Sequence, residues 1–209
     1  MKEVKINVYE FEELPEPVQK RVLEQERDFL IESNFSAFEE YEPEYLRSIY
    51  HFPDVQIGYS LTYCQGDGFH FQTKAFLTDI TLPLIQAKCS SDEARKMAEK
   101  MYHNDLGFNY STAIVAEKDV RSHYEYASKY DILLGDNYFS DSTNYNVLDA
   151  DIIEQVLTAA QEVYLEICKE AERVGYSQYD VKDADAIEAA SNYYYYENGE
   201  VYGDIDEEE

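Results

Sequence analysis

Tryptophan is absent from the 209-residue chain and basic residues are scarce, with 17 Lys and Arg against 44 Asp and Glu. The formal net charge of -27 excludes direct binding to nucleic acid or an anionic membrane. Such a charge repels phosphate and attracts basic surfaces over a Debye length of about 8 Å. Cysteine is sparse as well: Cys64, Cys89 and Cys168 are odd in number and widely spaced. They form neither a disulfide framework nor a zinc pattern, and read as reduced, packed thiols of a cytoplasm. Long apolar runs are missing; no stretch approaches the ~18 residues of a membrane span, and the start, MKEVKINVYEF, lacks a signal-peptide core. The chain is therefore expected to be neither exported nor inserted. No glycine-rich loop stands between a strand and a helix with a following Lys, which excludes the nucleotide-binding fingerprints. The four His and three Cys never fall at ligand spacing within one element, so neither metal nor cofactor is expected.

What the chain does have is 21 Tyr and 10 Phe. Tyrosine joins a large apolar face to a polar tip and suits both cores and interfaces. The length predicts one domain over residues 1–203, followed by an acidic tail over 204–209.

Hydrophobic periodicity predicts an α+β fold, with an antiparallel sheet of about five to six strands packed against three or four helices. Val4, Ile6 and Val8 alternate with polar residues and predict a first strand over residues 2–9. Pro15 and Pro17 open a helix carrying Val18, Val22, Leu23, Phe29 and Leu30, which is expected to run to about Glu32. Pro43 interrupts the next segment, predicted as a short or bent helix before a loop at residues 51–54. Two alternating runs, 55–63 and 69–77, flank Cys64-Gln-Gly-Asp-Gly and predict a hairpin.

A helix capped by Ser91 extends through about His103, with Ala94, Met97, Ala98 and Met101 on one face, and Gly107 is expected to end it. Strands are predicted over 108–116 and 122–134. The longest helix begins near Asp149 or Asp151, carries the stripe Ile152, Val156, Ala160, Val163, Ile167 and Val174, and stops at Gly175. Asn198-Gly199 after four consecutive tyrosines predicts a terminal hairpin over residues 192–202.

Three blocks carry a resemblance. They are Tyr9-Glu-Phe-Glu-Glu-Leu-Pro-Glu-Pro-Val-Gln-Lys-Arg-Val, Cys64-Gln-Gly-Asp-Gly-Phe-His-Phe, and Tyr194-Tyr-Tyr-Glu-Asn-Gly-Glu. Together they resemble an uncharacterised family encoded by bacteriophages and prophages, often labelled as the antitoxin of a toxin–antitoxin stability system. The resemblance implies a strand entering a helix for the first block, a glycine turn before an aromatic strand for the second, and a final strand for the third. Cys64 stands where that family usually has Ser. The resemblance also implies a phage or prophage origin, a setting that includes small acidic inhibitors of host defence enzymes.

Within the turn Gln65, Gly66, Asp67 and Gly68, the glycines permit positive φ, so the expected role is structural. An acid/base cluster of Asp67, His70 and His123 is the rival reading, as a hydrolase. His51 and His103 are expected at the surface near element ends, and no residue is assigned a catalytic role.

From Asp149 onward the chain holds 18 acids and 3 basic residues, a net charge of -15. Asp151 and Glu154, and again Glu162, Glu166 and Glu170, recur about once per helical turn. They are predicted to pair with the Arg and Lys of a basic protein while Tyr193, Tyr194, Tyr195 and Tyr196 supply buried anchors. The expected function is that of a phage-type acidic binding protein. It would inhibit a basic, nucleic-acid-binding defence protein of the host, such as a CRISPR nuclease or a restriction enzyme, by occlusion or DNA mimicry. The alternative is an antitoxin-like neutraliser of a basic toxin.

Overall fold

The computed structural model describes residues 6–64, 67–103, 114–118, 130–134 and 150–204. They fall into two compact units, each described by itself: residues 1–38 with 177–209, and residues 39–176. Helix α1 (Glu16–Tyr50) contributes to both.

The fold is mixed helix and strand. The six strands among the described residues form three separate antiparallel pairs, which replace the expected single sheet of five to six strands. Among the described residues five α-helices stand where three or four were expected.

The second unit is built on the hairpin β1 (Gln56–Ser60) and β2 (Gly68–Gln72), paired in register from Gln56 with Gln72 to Ser60 with Gly68. A two-stranded ribbon is marginal alone and needs a covering layer. That layer is α4 (Ala150–Tyr176), against which α2 (Thr81–Lys88) and α3 (Asp92–His103) pack in turn. Phe69, Phe71, Phe76 and Tyr164 are fully buried. The ring of Phe71 lies 4.8 Å from that of Tyr164 and 5.4 Å from that of Phe52, which in turn stacks on Phe76. The Tyr164 hydroxyl accepts from the Phe71 N–H at 3.3 Å and donates to the Phe71 carbonyl at 3.0 Å, so an α4 side chain meets the backbone needs of a strand residue. The pair β3 (Ile114–Lys118) and β4 (Tyr130–Leu134) also belongs to this unit.

Local chemistry explains several boundaries. Ser91 caps α3, its Oγ accepting from the Ala94 N–H, and Ala94, Ala98 and Met101 face inward as the spacing predicts. Helix α2 was not anticipated; Thr78 and Thr81 cap it reciprocally, each hydroxyl accepting from the other's N–H, and Pro83 falls early in the helix, where it is tolerated. Helix α1 passes through Pro43 instead of ending near Glu32 or breaking at the proline. Buried Glu42 and Leu46 fix the turns beside Pro43 against a cost of about 3 kcal/mol for an interior proline. On α4, Ile153 is buried in place of the predicted Ile152, and Gly175 is buried within the last turn instead of stopping the helix.

The first unit packs Phe11, Leu14, Val22, Ala190 and Tyr195 together. Its elements are the N-terminal part of α1, α5 (Asp183–Ala190), and the hairpin β5 (Tyr193–Tyr195) with β6 (Val201–Asp204). Residues 6–8 are not strand; Tyr9 alone pairs with Tyr195, exchanging both backbone hydrogen bonds at 2.9 and 2.8 Å. Helix α5 escaped periodicity because it is only eight residues long; the Asp185 carboxylate accepts from the Lys182 N–H, and Asp183 and Asp185 favour its N-terminus. The predicted turn is present: Gly199 has φ +81°, and a Cβ there would meet Val18 Cγ1 at 2.7 Å. Residues 1–5, Gly107, most of the segments 108–116 and 122–134, and the tail 205–209 lie outside the described residues.

Gly199→Ala is expected to lower stability by roughly 1–3 kcal/mol, since it combines a left-handed backbone with a steric overlap. Thermal melting of the full chain measures this, and a melting temperature equal to wild type would contradict the turn geometry.

Candidate functional site

Three groups of residues were singled out by sequence, and the structure treats them differently. Asp67 is 7 % exposed and immediately precedes β2. Its Oδ1 accepts from Thr62 Oγ1 at 3.1 Å, Cys64 Sγ at 3.1 Å and Ser60 Oγ at 3.3 Å. Its Oδ2 accepts from the Cys64 N–H at 3.0 Å and from the Tyr176 hydroxyl at 2.7 Å. Burial alone would raise its pKa; the hydrogen bonds from Thr62, Tyr176 and Cys64 outweigh that and hold the carboxyl well below the usual carboxylate range. Burial, followed by the hydrogen bond to the Asp67 charge, pushes the Tyr176 hydroxyl up. The carboxylate thus ties the hairpin loop to the last residue of α4. Gln65 and Gly66 lie outside the described residues.

His70 is buried on β2, opposite Gly58 of β1. A Cβ on Gly58 would come within 2.3 Å of His70 Nε2, so the glycine makes room for the imidazole ring. The rival acid/base cluster needs Asp67 as a proton carrier, but that carboxylate is occupied by five hydrogen bonds from the protein, and His123 lies outside the described residues. Among the described residues no group of three or more His, Cys, Asp and Glu is placed to hold a metal ion.

His51 and His103 are exposed, the first hydrogen-bonded to Asp79 at 2.8 Å and the second edge-on to Tyr102. Cys89 and Cys168 are buried, and desolvation pushes both thiols up. Cys64 is exposed, not packed as expected, because its backbone lies in the loop that turns towards Asp67.

The acidic row lies on α4. Asp151, Glu154, Glu162, Glu166 and Glu170 are all exposed, opposite the buried stripe that runs from Ile153 to Ala171. Three of them hold cations of the same chain. Lys88 Nζ is 2.6 Å from Glu166 and 3.9 Å from Glu162, and Arg173 forms a bidentate pair with Glu170 at 2.6 and 3.0 Å. The hydrogen bond to Glu166 raises the Lys88 pKa, and that from Arg173 lowers the Glu170 pKa. Sequence reasoning missed Lys88 because it lies on the unanticipated α2. Glu42, buried on α1, has its pKa raised by burial and then by the charge of Glu170, which places a second carboxylate near the end of the row.

The tyrosine cluster belongs to the other unit. Tyr195 is 1 % exposed in the core of that unit, and its hydroxyl donates to the Ala190 carbonyl at 2.8 Å. Burial pushes that hydroxyl up to about 12. A residue so enclosed is a core element and not the interface anchor that was expected. Tyr193, Tyr194 and Tyr196 are half-buried, and Tyr196 meets Tyr202 edge to face at 5.5 Å.

No protein-family model, no curated protein and no solved structure matches this chain.

The Asp67 network has a pH signature. Its folded-state pKa is depressed, so its stabilising contribution is complete above the unfolded value near 3.9 and is lost as pH falls below it. Glu42 has the opposite sign: its raised pKa favours folding at low pH, and that contribution declines as pH rises. Asp67→Asn is expected to lower the melting temperature at about pH 7 and to flatten the loss of stability as pH falls below about 4. An unchanged acid slope in melting experiments would contradict this assignment.

Proposed function

We propose that this chain is an acidic binding protein of phage type that covers the basic nucleic-acid groove of a host defence enzyme. The observation that carries the reading is the exposed row Asp151, Glu154, Glu162, Glu166 and Glu170 along one side of α4, in a chain of net charge -27. From Asp151 to Glu170 the row spans roughly 28 Å at 1.5 Å per residue. The pairs with Lys88 and Arg173 do not oppose the reading, because exposed ion pairs contribute only about 0–1 kcal/mol each and exchange readily for the cations of a partner.

Spacing decides between mechanisms. Successive carboxylates of the row are roughly 4.5–6 Å apart along α4, or about 12 Å across the step from Glu154 to Glu162, whereas duplex DNA offers a charge per about 1.7 Å of axis. The row is too sparse to copy a phosphate backbone charge for charge, which favours occlusion of a basic groove over close DNA mimicry. Tyr193, Tyr194 and Tyr196 supply apolar contact on the other unit, and Tyr195 holds the hairpin that carries them.

The test uses a purified CRISPR nuclease or restriction enzyme, with DNA cleavage and association kinetics as readouts. Cleavage is expected to fall as the protein is added, and association is expected to slow steeply between about 50 and 300 mM salt. Glu162→Gln, Glu166→Gln and Glu170→Gln combined should reduce both the association rate and its salt slope while leaving the melting temperature close to wild type. A folded triple variant with the wild-type rate and slope would remove α4 from the interface.

A further inference from the structure

On the part of α1 that belongs to the second unit, Tyr41, Tyr45 and Ile49 follow one another at four-residue intervals and stand 64 %, 52 % and 45 % exposed. Residues so spaced share one helix face. This exposure is not overflow from a crowded core, since the same unit buries Phe69, Phe71, Phe76 and Tyr164 completely. Beside the row run Glu40 and Glu44, also exposed and one turn apart. We propose that this strip of tyrosines edged by carboxylates is the docking surface for an arginine-rich segment of a basic partner, an inference that rests on the acidic-binder reading above and names the surface where the partner is held.

The chemistry selects arginine. A guanidinium is flat and weakly hydrated; it lies over a tyrosine ring while its N–H fork reaches a carboxylate. A lysine ammonium is a compact, strongly hydrated point charge and gains less from the ring. The strip already accommodates such a group: Arg47 of the same chain pairs with Glu44 at 2.9 Å, with both side chains substantially in water. A partner's arginine displaces it at little cost. A second copy of this chain is the wrong occupant, because two molecules each carrying -27 repel one another. The strip is also near the acidic row of α4: the charge of Glu170 is felt by both Glu42 and Tyr50 of α1. Long-range steering by α4 and short-range holding by α1 then act on one bound segment.

The experiment is calorimetric titration of the full chain with two synthetic peptides of equal length and charge, one alternating arginine with glycine and the other lysine with glycine, at about 150 mM salt. Wild type is expected to bind the arginine peptide roughly tenfold more tightly, the preference given by two exposed cation–π contacts. Tyr41→Ser with Tyr45→Ser should abolish that preference. Tyr41→Phe with Tyr45→Phe keeps the rings, and so should retain it, and tests the same point should the serine variant fold poorly. The α4 glutamine variant should weaken both peptides by a similar factor and leave the preference intact. An arginine preference that survives in a folded serine variant, or is lost in the phenylalanine variant, overturns the strip while leaving the acidic-binder reading standing. Failure of wild type to bind either peptide overturns both.

Discussion

Among the described residues the strands come in pairs without a third hydrogen-bonded strand, and this constrains the structure more than any other feature. A two-stranded ribbon leaves one edge of each strand without backbone partners and buries too little apolar surface to stand alone. In the second unit Tyr164 answers both needs, its ring lying against Phe71 and Phe76 and its hydroxyl bonding the Phe71 N–H and carbonyl. In the first unit Tyr195 fills the core, exchanges backbone bonds with Tyr9 and anchors its hydroxyl on the end of α5. A phenylalanine in either place would fill the volume but leave backbone groups unsatisfied. At these two places an aromatic ring with a polar tip both packs a core and satisfies a backbone group.

Carboxylates divide along similar lines. Asp67 is a buried charge stabilised by directed donors, which is the condition under which a buried carboxylate is tolerable. Glu42 is buried with its proton favoured. The carboxylates of α4 stay in water, and three of them hold cations from their own chain. The net charge of a segment is thus a poor measure of the field at its surface: Glu162, Glu166 and Glu170 with Lys88 and Arg173 leave a net charge of only -1. Partner recognition by such a face depends on exchange of ion pairs as much as on bare attraction.

The opening, middle and closing blocks singled out in the sequence gain physical meaning from their neighbours. In the first unit the opening and closing blocks meet: Tyr9 pairs with Tyr195, Arg21 donates to the Asn198 carbonyl, and Gly199 lies against Val18 and Val22. The middle block supplies Cys64 and Asp67 to the network that reaches Tyr176. Each block is a fastening point, joining segments more than 100 residues apart in the sequence.

The sequence by itself determined the features that local chemistry decides. The hairpins at β1–β2 and β5–β6 were legible because strand alternation and, in the second, the Asn198-Gly199 turn act over a few residues, and α3 and α4 because a cap or an apolar stripe repeats within one element. Helix α1 was cut short because its buried residues are Val22 near one end and, 16 residues on, the four-residue series Phe38, Glu42 and Leu46, which includes a carboxylate and straddles Pro43, while α2 and α5 are too short for a period to register. Only the tertiary structure decided which acids and rings face water. The row on α4 was visible as a spacing, but its pairing with Lys88 required α2, and the burial of Tyr195 required Phe11 and Val22 from far along the chain. Burial and charge pairing are sums over neighbours distant in sequence, and no local pattern carries that information.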